Sequence, residues 1–139
     1  MIQNDGNLWG WGWNNSGGLG DGTTIERRTP IKITDNVVAV AAGSSHTMAI
    51  KTDGSLWGWG WNLYGQVGDS TTQNCLSPVM IMEDVAEISA GSEESFAVDK
   101  SGNLWAWGSN EYGQLGKGVA NKGDSDDKTP NIVLEGSIW

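Results

Sequence analysis

Three stretches of the chain alternate bulky apolar residues with small ones, and they recur at a fixed interval. Residues 8–14 read LWGWGWN, residues 56–62 repeat that string, and residues 104–110 read LWAWGSN, so the interval is 48 residues both times. Alternate side chains of an extended strand point to opposite faces, which puts the tryptophans on one face and the small residues on the other. A helix would scatter the indoles and would be weakened by the glycines. Each stretch therefore predicts a β-strand, called the Trp strand below.

The rest of the repeat predicts three more strands, and the second repeat shows them most clearly. Small and β-branched residues at 37–43 (VVAVAAG) are typical of an inner strand, and residues 47–51 (TMAIK) form the next strand. Asp53-Gly54 then predicts a tight hairpin turn into the Trp strand. After a glycine-rich link, Pro78 opens a short stretch, PVMI, that suits an edge strand, because proline cannot donate to the ladder.

Four strands per repeat and almost no helix predict an all-β protein made of β-propeller blades, each with four antiparallel strands. We expect blade 1 at about residues 1–34 without its inner strand, blade 2 at about 36–83 and blade 3 at about 85–135. Residues 136–139 would begin a further inner strand. The indoles would fill the glycine trough of the neighbouring Trp strand, so we expect six in the core: Trp9, Trp11, Trp57, Trp59, Trp105 and Trp107. The third repeat has Ser109 where the others have Trp13 and Trp61, which places those two nearer the surface.

The strings VVAVAAG, SSHTMAI, DGSLWGWG and NLYGQVG, followed by Pro78, resemble the repeat of the regulator of chromosome condensation family. The resemblance covers essentially the whole chain. It implies a propeller, usually of seven blades, that acts as a binding scaffold rather than as an enzyme. The family's plant photoreceptor carries Trp and Arg before the HTMA segment, where this chain has Ser44-Ser45 and, one repeat later, Glu93-Glu94. A light-sensing tryptophan cage is therefore not expected here.

Composition narrows the possible partners. The formal net charge of −9 opposes binding to phosphate backbones, so we expect no nucleic-acid partner. No apolar run approaches the ~20 residues needed to span a bilayer, and no signal peptide is visible, so we predict no membrane association and assign no compartment. The single cysteine, Cys75, excludes an internal disulfide and a cysteine-based zinc site.

Few residues suggest chemistry of their own. His46 follows Ser44 and Ser45, but an orienting acid and an oxyanion site are missing, and Glu94 replaces the histidine in the next repeat. We therefore predict no catalytic residues, no enzymatic activity and no cofactor. The weak candidate for a metal site is a group of acidic residues in the third link, although the spacing of a calcium loop is missing: Asp124, Asp126 and Asp127.

Strand order predicts a binding rim. If the strands alternate in direction, the turn after the inner strand and the link after the Trp strand emerge at the same edge. This rim would hold nine polar and aromatic residues: Ser44, Ser45, His46, Glu93, Glu94, Trp13, Trp61, Tyr64 and Tyr112. The prediction is a non-enzymatic binding module or protein-interaction scaffold. The alternatives are a lectin-like propeller that binds carbohydrate, and a repeat fragment or amplified propeller with no specific ligand.

The two ends of the sequence suggest self-association. Blade 1 starts within a hairpin and lacks an inner strand, whereas residues 136–139 offer the beginning of one. Two chains joined head to tail would give a closed ring of six blades, and we predict this homodimer. A piece of a longer propeller and a nine-bladed trimer are the alternatives.

Overall fold

The computed structural model describes residues 1–118 and 127–136, and within these residues the chain forms ten strands and no helix. No helix that could cross a membrane therefore occurs in those two ranges. Of the predicted start of an inner strand at residues 136–139, only Gly136 lies within them, and it is not part of a strand. The strands are β1 Leu8–Gly12, β2 Arg27–Thr34, β3 Val37–Ala42, β4 His46–Lys51, β5 Leu56–Gly60, β6 Cys75–Met82, β7 Val85–Ala90, β8 Glu94–Asp99, β9 Leu104–Gly108 and β10 Asp127–Leu134.

The strands form three antiparallel sheets in chain order. The first sheet pairs β1 with β2, the second has the order β3-β4-β5-β6, and the third has the order β7-β8-β9-β10. An isolated antiparallel bridge between Ile2 and Leu8 extends the first sheet toward the position of a third strand. The prediction of an all-β propeller with four-stranded antiparallel blades is confirmed.

The outer strands differ from the sequence prediction. They begin three residues before each proline, so Pro30 is the fourth residue of β2 rather than the first. The pairing of β1 with β2 shifts register between Gly10 and Gly12, and β5 with β6 shifts between Gly58 and Gly60. A bulge of this kind interrupts the ladder, and an edge strand can therefore contain proline without losing a regular hydrogen bond.

The core lies at the junctions between sheets. Between the first and second sheets the buried residues are Leu8, Val37, Ala49 and Trp59. Between the second and third sheets they are Met48, Ile50, Leu56, Val85, Ala97 and Trp107. Each junction thus has one buried indole, contributed by the later of the two sheets.

The six tryptophans expected in the core are not equivalent. Trp59 and Trp107 are 1% and 0% exposed, but Trp11, which holds the same place in the first repeat, is 48% exposed. The prediction is therefore wrong for Trp11, because none of the described residues forms a sheet that covers it. Trp13 is 71% exposed and Trp61 is half-buried.

The trough that receives each indole is also not where the sequence placed it. A Cβ atom on Gly58 would meet the carbonyl oxygen of Val67 at 3.0 Å, and no indole lies there. The indole of Trp59 instead covers Gly20 in the link of the first sheet, where a Cβ would come within 2.7 Å of Nε1. Gly68 receives Trp107 in the same way. The link, rather than the Trp strand, supplies the trough.

We expect Trp59→Ala to destabilise the chain by roughly 3–5 kcal/mol, because it empties the junction between the first two sheets. Urea denaturation followed by circular dichroism would measure the change. Trp13→Ala removes the same side chain from an exposed position and should cost less than about 0.5 kcal/mol. Equal losses in the two variants would contradict the assignment of the junction.

Candidate functional site

A buried asparagine at the end of each Trp strand fixes the conformation of the link. The Nδ2 group of Asn62 donates to Asp69 at 3.0 Å, and its Oδ1 atom accepts from the backbone N–H of Val67 at 3.0 Å. Asn14 and Asn110 accept from the backbone of Leu19 and Leu115 in the same manner. These hydrogen bonds from the asparagine amide take the place of the backbone hydrogen bonds that an irregular link lacks.

Each link then presents one carbonyl to the next sheet. The oxygen of Gly18 accepts from Trp59 Nε1 at 3.0 Å and from Thr47 Oγ1 at 2.8 Å. At the second junction the oxygen of Gln66 accepts from Trp107 Nε1 at 3.0 Å and from Ser95 Oγ at 2.7 Å. Two donors from two different strands thus converge on one carbonyl oxygen at each junction.

The predicted rim brings the two kinds of loop together. The backbone N–H of Trp61, just after β5, donates to the carbonyl of Ser45 at 2.9 Å. The backbone N–H of Ser109 donates to the carbonyl of Glu93 at the same distance. A groove of about 180 Å³ lies at this edge between the first two sheets. Its lining includes Trp13, Ser44, Ser45 and His46.

The rim residues differ in how far they reach solvent. Tyr112 is 84% exposed, whereas Trp61 and Tyr64 are half-buried and pack edge to face with ring centroids 5.6 Å apart. Ser44 is exposed, and Ser45 and Glu93 are half-buried. The carboxylate of Glu94 lies over the inner-strand end and accepts from the N–H of Glu93 at 3.1 Å.

His46 lies beneath the rim rather than on it. Its side chain is buried, and Nε2 is 2.9 Å from Ser95 Oγ. Because the Ser95 hydroxyl already donates to Gln66, the histidine must carry its proton on Nε2 and donate it to Ser95. Burial lowers the pKa of His46 to about 4, so the ring is neutral at neutral pH. His46 therefore supports the second junction and does not activate Ser44 or Ser45.

The links also share a polar pair between the turn and the outer strand. In the first repeat, Asp21 pairs with Arg27 at 2.8 Å. In the second, Asp69 takes the place of Asp21 and accepts a hydrogen bond from the thiol of Cys75 at 3.2 Å. In the third, the charges are reversed, and Lys117 pairs with Asp127 at 2.6 Å. Burial raises the pKa of Cys75, and the bond to the carboxylate raises it further, to about 12. The thiol is therefore protonated and poorly nucleophilic.

The weak metal candidate gains no support from the part of the chain that can be described. Asp127 faces Lys117, and Asp124 and Asp126 lie outside the described residues. Within residues 1–118 and 127–136, no group of three or more His, Cys, Asp or Glu side chains could hold a metal ion.

Sequence profiles identify the repeat. The profile of the regulator of chromosome condensation (RCC1) repeat matches residues 5–50, 53–98 and 101–133, and a second profile of the same repeat matches 37–66 and 85–114. The chain belongs to the RCC1 repeat family. A curated relative is the ultraviolet-B receptor UVR8 of Arabidopsis thaliana, with 36% identity over 53 residues, which is 35% of this chain and 12% of the receptor.

Solved structures show the same RCC1 propeller architecture. Prp20p of Saccharomyces cerevisiae superposes with a TM-score of 0.82 and 23% identity, over 96% of this chain and 35% of Prp20p. Human WBSCR16 gives a TM-score of 0.75 and 23% identity, over 94% of this chain and 34% of that protein. The chain thus spans about a third of the length of these structures, and the likeness establishes the fold.

Sequence reasoning missed three sets of residues that build the site. They are the asparagines of the links, the hydroxyl residues Thr47 and Ser95, and the link glycines that receive an indole. All of them recur in register at 48 residues, so the repeat itself held the signal. Their role depends on the neighbouring sheet, which the local pattern does not reveal.

The single histidine predicts a pH dependence of stability. The pKa of His46 is about 4 when folded, below its ordinary value of 6.5, so the unfolded chain binds the proton more readily between these values. Stability contributed by neutral His46 is complete above pH 6.5 and falls by up to about 3 kcal/mol as the pH drops to 4.

Urea titrations at several pH values would test this expectation, with His46→Gln as the comparison. Carboxylates titrate in both proteins, so the difference between the two curves isolates the histidine. A difference that does not vary between pH 4 and 6.5 would contradict the buried neutral ring.

Proposed function

We propose that the chain is a non-enzymatic binding module whose rim docks a protein partner. The observation that carries the proposal is the exposure of two large aromatic side chains beside the polar loops, Trp13 at 71% and Tyr112 at 84%. Exposed aromatic residues among polar ones are enriched at the centres of protein interfaces. The buried His46 and the protonated Cys75 are both engaged in structural hydrogen bonds, which favours binding over catalysis.

Relatives support protein partners as a class. The reported structure of Prp20p describes binding to Gsp1p and histones, and another crystal structure has yeast RCC1 (Prp20) bound to Kap60. This chain spans only about a third of Prp20p, so those particular partners are not transferred to it. The net charge of −9 favours a partner with a basic contact surface, through complementary potentials.

A second copy of the chain is part of the same proposal. Within residues 1–118 and 127–136, the first and third sheets each pack against one other sheet, so each has a face that no described sheet covers. Two chains joined head to tail would cover both faces and give the six-bladed ring that the sequence predicts. The first face exposes Trp11, which supports this pairing.

Carbohydrate binding is the second candidate. Flat indoles stack on sugar rings, and the rim offers Trp13 beside the groove and the edge-to-face pair of Trp61 and Tyr64. The groove lining is polar enough to hydrogen-bond a hydroxylated ligand, with Asn15, Ser16 and Ser44 among its residues.

Selection from a phage-displayed peptide library, alongside a glycan array, would separate these functions. We expect selected peptides to lose at least tenfold in affinity for the double variant Trp13→Ala/Tyr112→Ala, because hot-spot aromatics contribute 1.4 kcal/mol or more. Met80→Ala changes an exposed apolar residue of an outer strand and should leave their affinity unchanged.

Other outcomes would redirect the proposal. Peptides that bind the double variant as well as the original chain would contradict the rim as the docking site. Glycans bound by the chain and lost with Trp13→Ala would establish the lectin-like alternative. Failure to select any peptide or glycan would favour an amplified repeat with no specific ligand.

A further inference from the structure

The first sheet exposes half of a junction that is closed elsewhere in the chain. Trp11 is 48% exposed, whereas Trp59 and Trp107 are buried against a preceding link. Among the described residues, a Cβ atom on Gly12 would meet nothing within 4 Å, whereas one on Gly60 would come within 3.2 Å of the Cα atom of Gly18 in the link of the first sheet. This surface around Trp11 and Gly12 is called the donor half below.

The third sheet exposes the other half. A Cβ atom on Gly20 or Gly68 would lie 2.7 Å from an indole nitrogen, but one on Gly116 would meet, of the described residues, only Val133, at 3.3 Å. Gly116 is exposed, whereas both of its counterparts are buried. A Cβ atom on Gly113 would meet no atom of residues 1–118 or 127–136 within 4 Å. This surface around Gly113 and Gly116 is called the acceptor half.

The acceptor half also carries the carbonyl that the junction needs. Gln114 occupies the place of Gly18 and Gln66, whose oxygens accept an indole N–H and a hydroxyl in the closed junctions. Among the described residues, nothing donates to the Gln114 carbonyl. Leu115 is buried beneath it and is fixed by Asn110, so the acceptor is held in position.

We infer that a second copy of the chain closes this junction: Trp11 of one copy covers Gly116 of the next and donates its indole N–H to the Gln114 carbonyl. The inference rests on the self-association proposed above and adds its contact residues. The occupant is a second copy because the chain carries both halves, and its own internal junctions show that they fit. The donor half is on the first sheet and the acceptor half is on the third, and both of these sheets pack on the second.

Backbone hydrogen bonds also cross the two closed junctions, and the same positions are present in the donor and acceptor halves. The N–H of Gly22 donates to Leu76 at 2.8 Å and that of Ser70 to Lys128 at 2.9 Å, across the two closed junctions. The same positions one repeat on place the N–H of Gly118 opposite the carbonyl of Arg28 in the second copy. Because this contact joins two molecules, its occupancy depends on concentration, and we expect it to dissociate on dilution before the sheets unfold.

Light scattering behind size exclusion, over a range of concentrations, tests the inference on the donor side. We expect about twice 14.8 kDa at high concentration and 14.8 kDa on dilution. Trp11→Ser should raise the dissociation constant at least tenfold, because it removes the indole that covers Gly116. Trp13→Ser is the matched control: the third repeat has Ser109 at this position, so the dimer should persist.

The acceptor side has its own matched pair. Asparagine tolerates the positive φ of +72° at Gly116, so Gly116→Asn should fold while its side chain fills the place of the incoming indole. We expect this variant to be monomeric. Gly118→Ser should remain dimeric, because Ser70 occupies the equivalent position in the second repeat with a φ of 72°.

Mixing the two disrupted variants gives the decisive result. Trp11→Ser keeps an intact acceptor half and Gly116→Asn keeps an intact donor half, so the mixture can form one junction, whereas neither variant alone can form any. We expect dimers in the mixture only, and variants that had merely misfolded would not recover in this way.

Different results would overturn self-association and the particular contact inferred here. A chain that stays at 14.8 kDa at every concentration overturns self-association and this contact together. A dimer that persists in both Trp11→Ser and Gly116→Asn overturns the contact alone and assigns the dimer to another surface.

Discussion

The structure depends on an indole N–H that crosses from one sheet to the link of the sheet before it. Trp59 and Trp107 each cover a link glycine and donate to the carbonyl two residues earlier, at 3.0 Å in both cases. Sheets with few large aliphatic residues gain little from aliphatic packing. Here one indole supplies both the buried apolar area and a hydrogen bond that orients one sheet against the link of the other. Only glycine leaves space for it, because a Cβ at either position would lie 2.7 Å from the indole nitrogen.

The same junction positions the proposed binding rim. The link that accepts the indole is fixed by a buried asparagine, and the following sheet returns a hydroxyl to the same carbonyl. His46 extends this network by donating to Ser95, which explains why a histidine next to two serines is structural here. The rim loops are thus fixed by these hydrogen bonds; they carry Ser44, Ser45, Trp13 and Trp61. A loop that is already ordered lowers the entropic cost of binding a partner.

Much of this architecture could be predicted from the sequence. Alternation of tryptophan with glycine and the Asp-Gly turns indicated the strands, since both signals are local. The exposure of Trp11 and the true location of the trough could not be predicted, because both depend on which sheet lies next to which. The early start of the outer strands was also hidden, since a bulge lets Pro30 lie inside β2. At the site, the positions of the rim loops followed from strand order, whereas the burial of His46 required knowledge of Ser95 on the next sheet.

Hydrogen exchange of the indole N–H groups, followed by two-dimensional ¹H–¹⁵N NMR, would test the junction most directly. The signals of Trp59, Trp107 and Trp13 can be assigned with single Trp→Phe variants, and Trp13 serves as an exposed reference within the same molecule. We expect Trp59 and Trp107 to exchange at least a hundredfold more slowly than Trp13, because their protons are buried and bonded to a carbonyl. Exchange of Trp59 and Trp107 as fast as that of Trp13 would contradict this expectation.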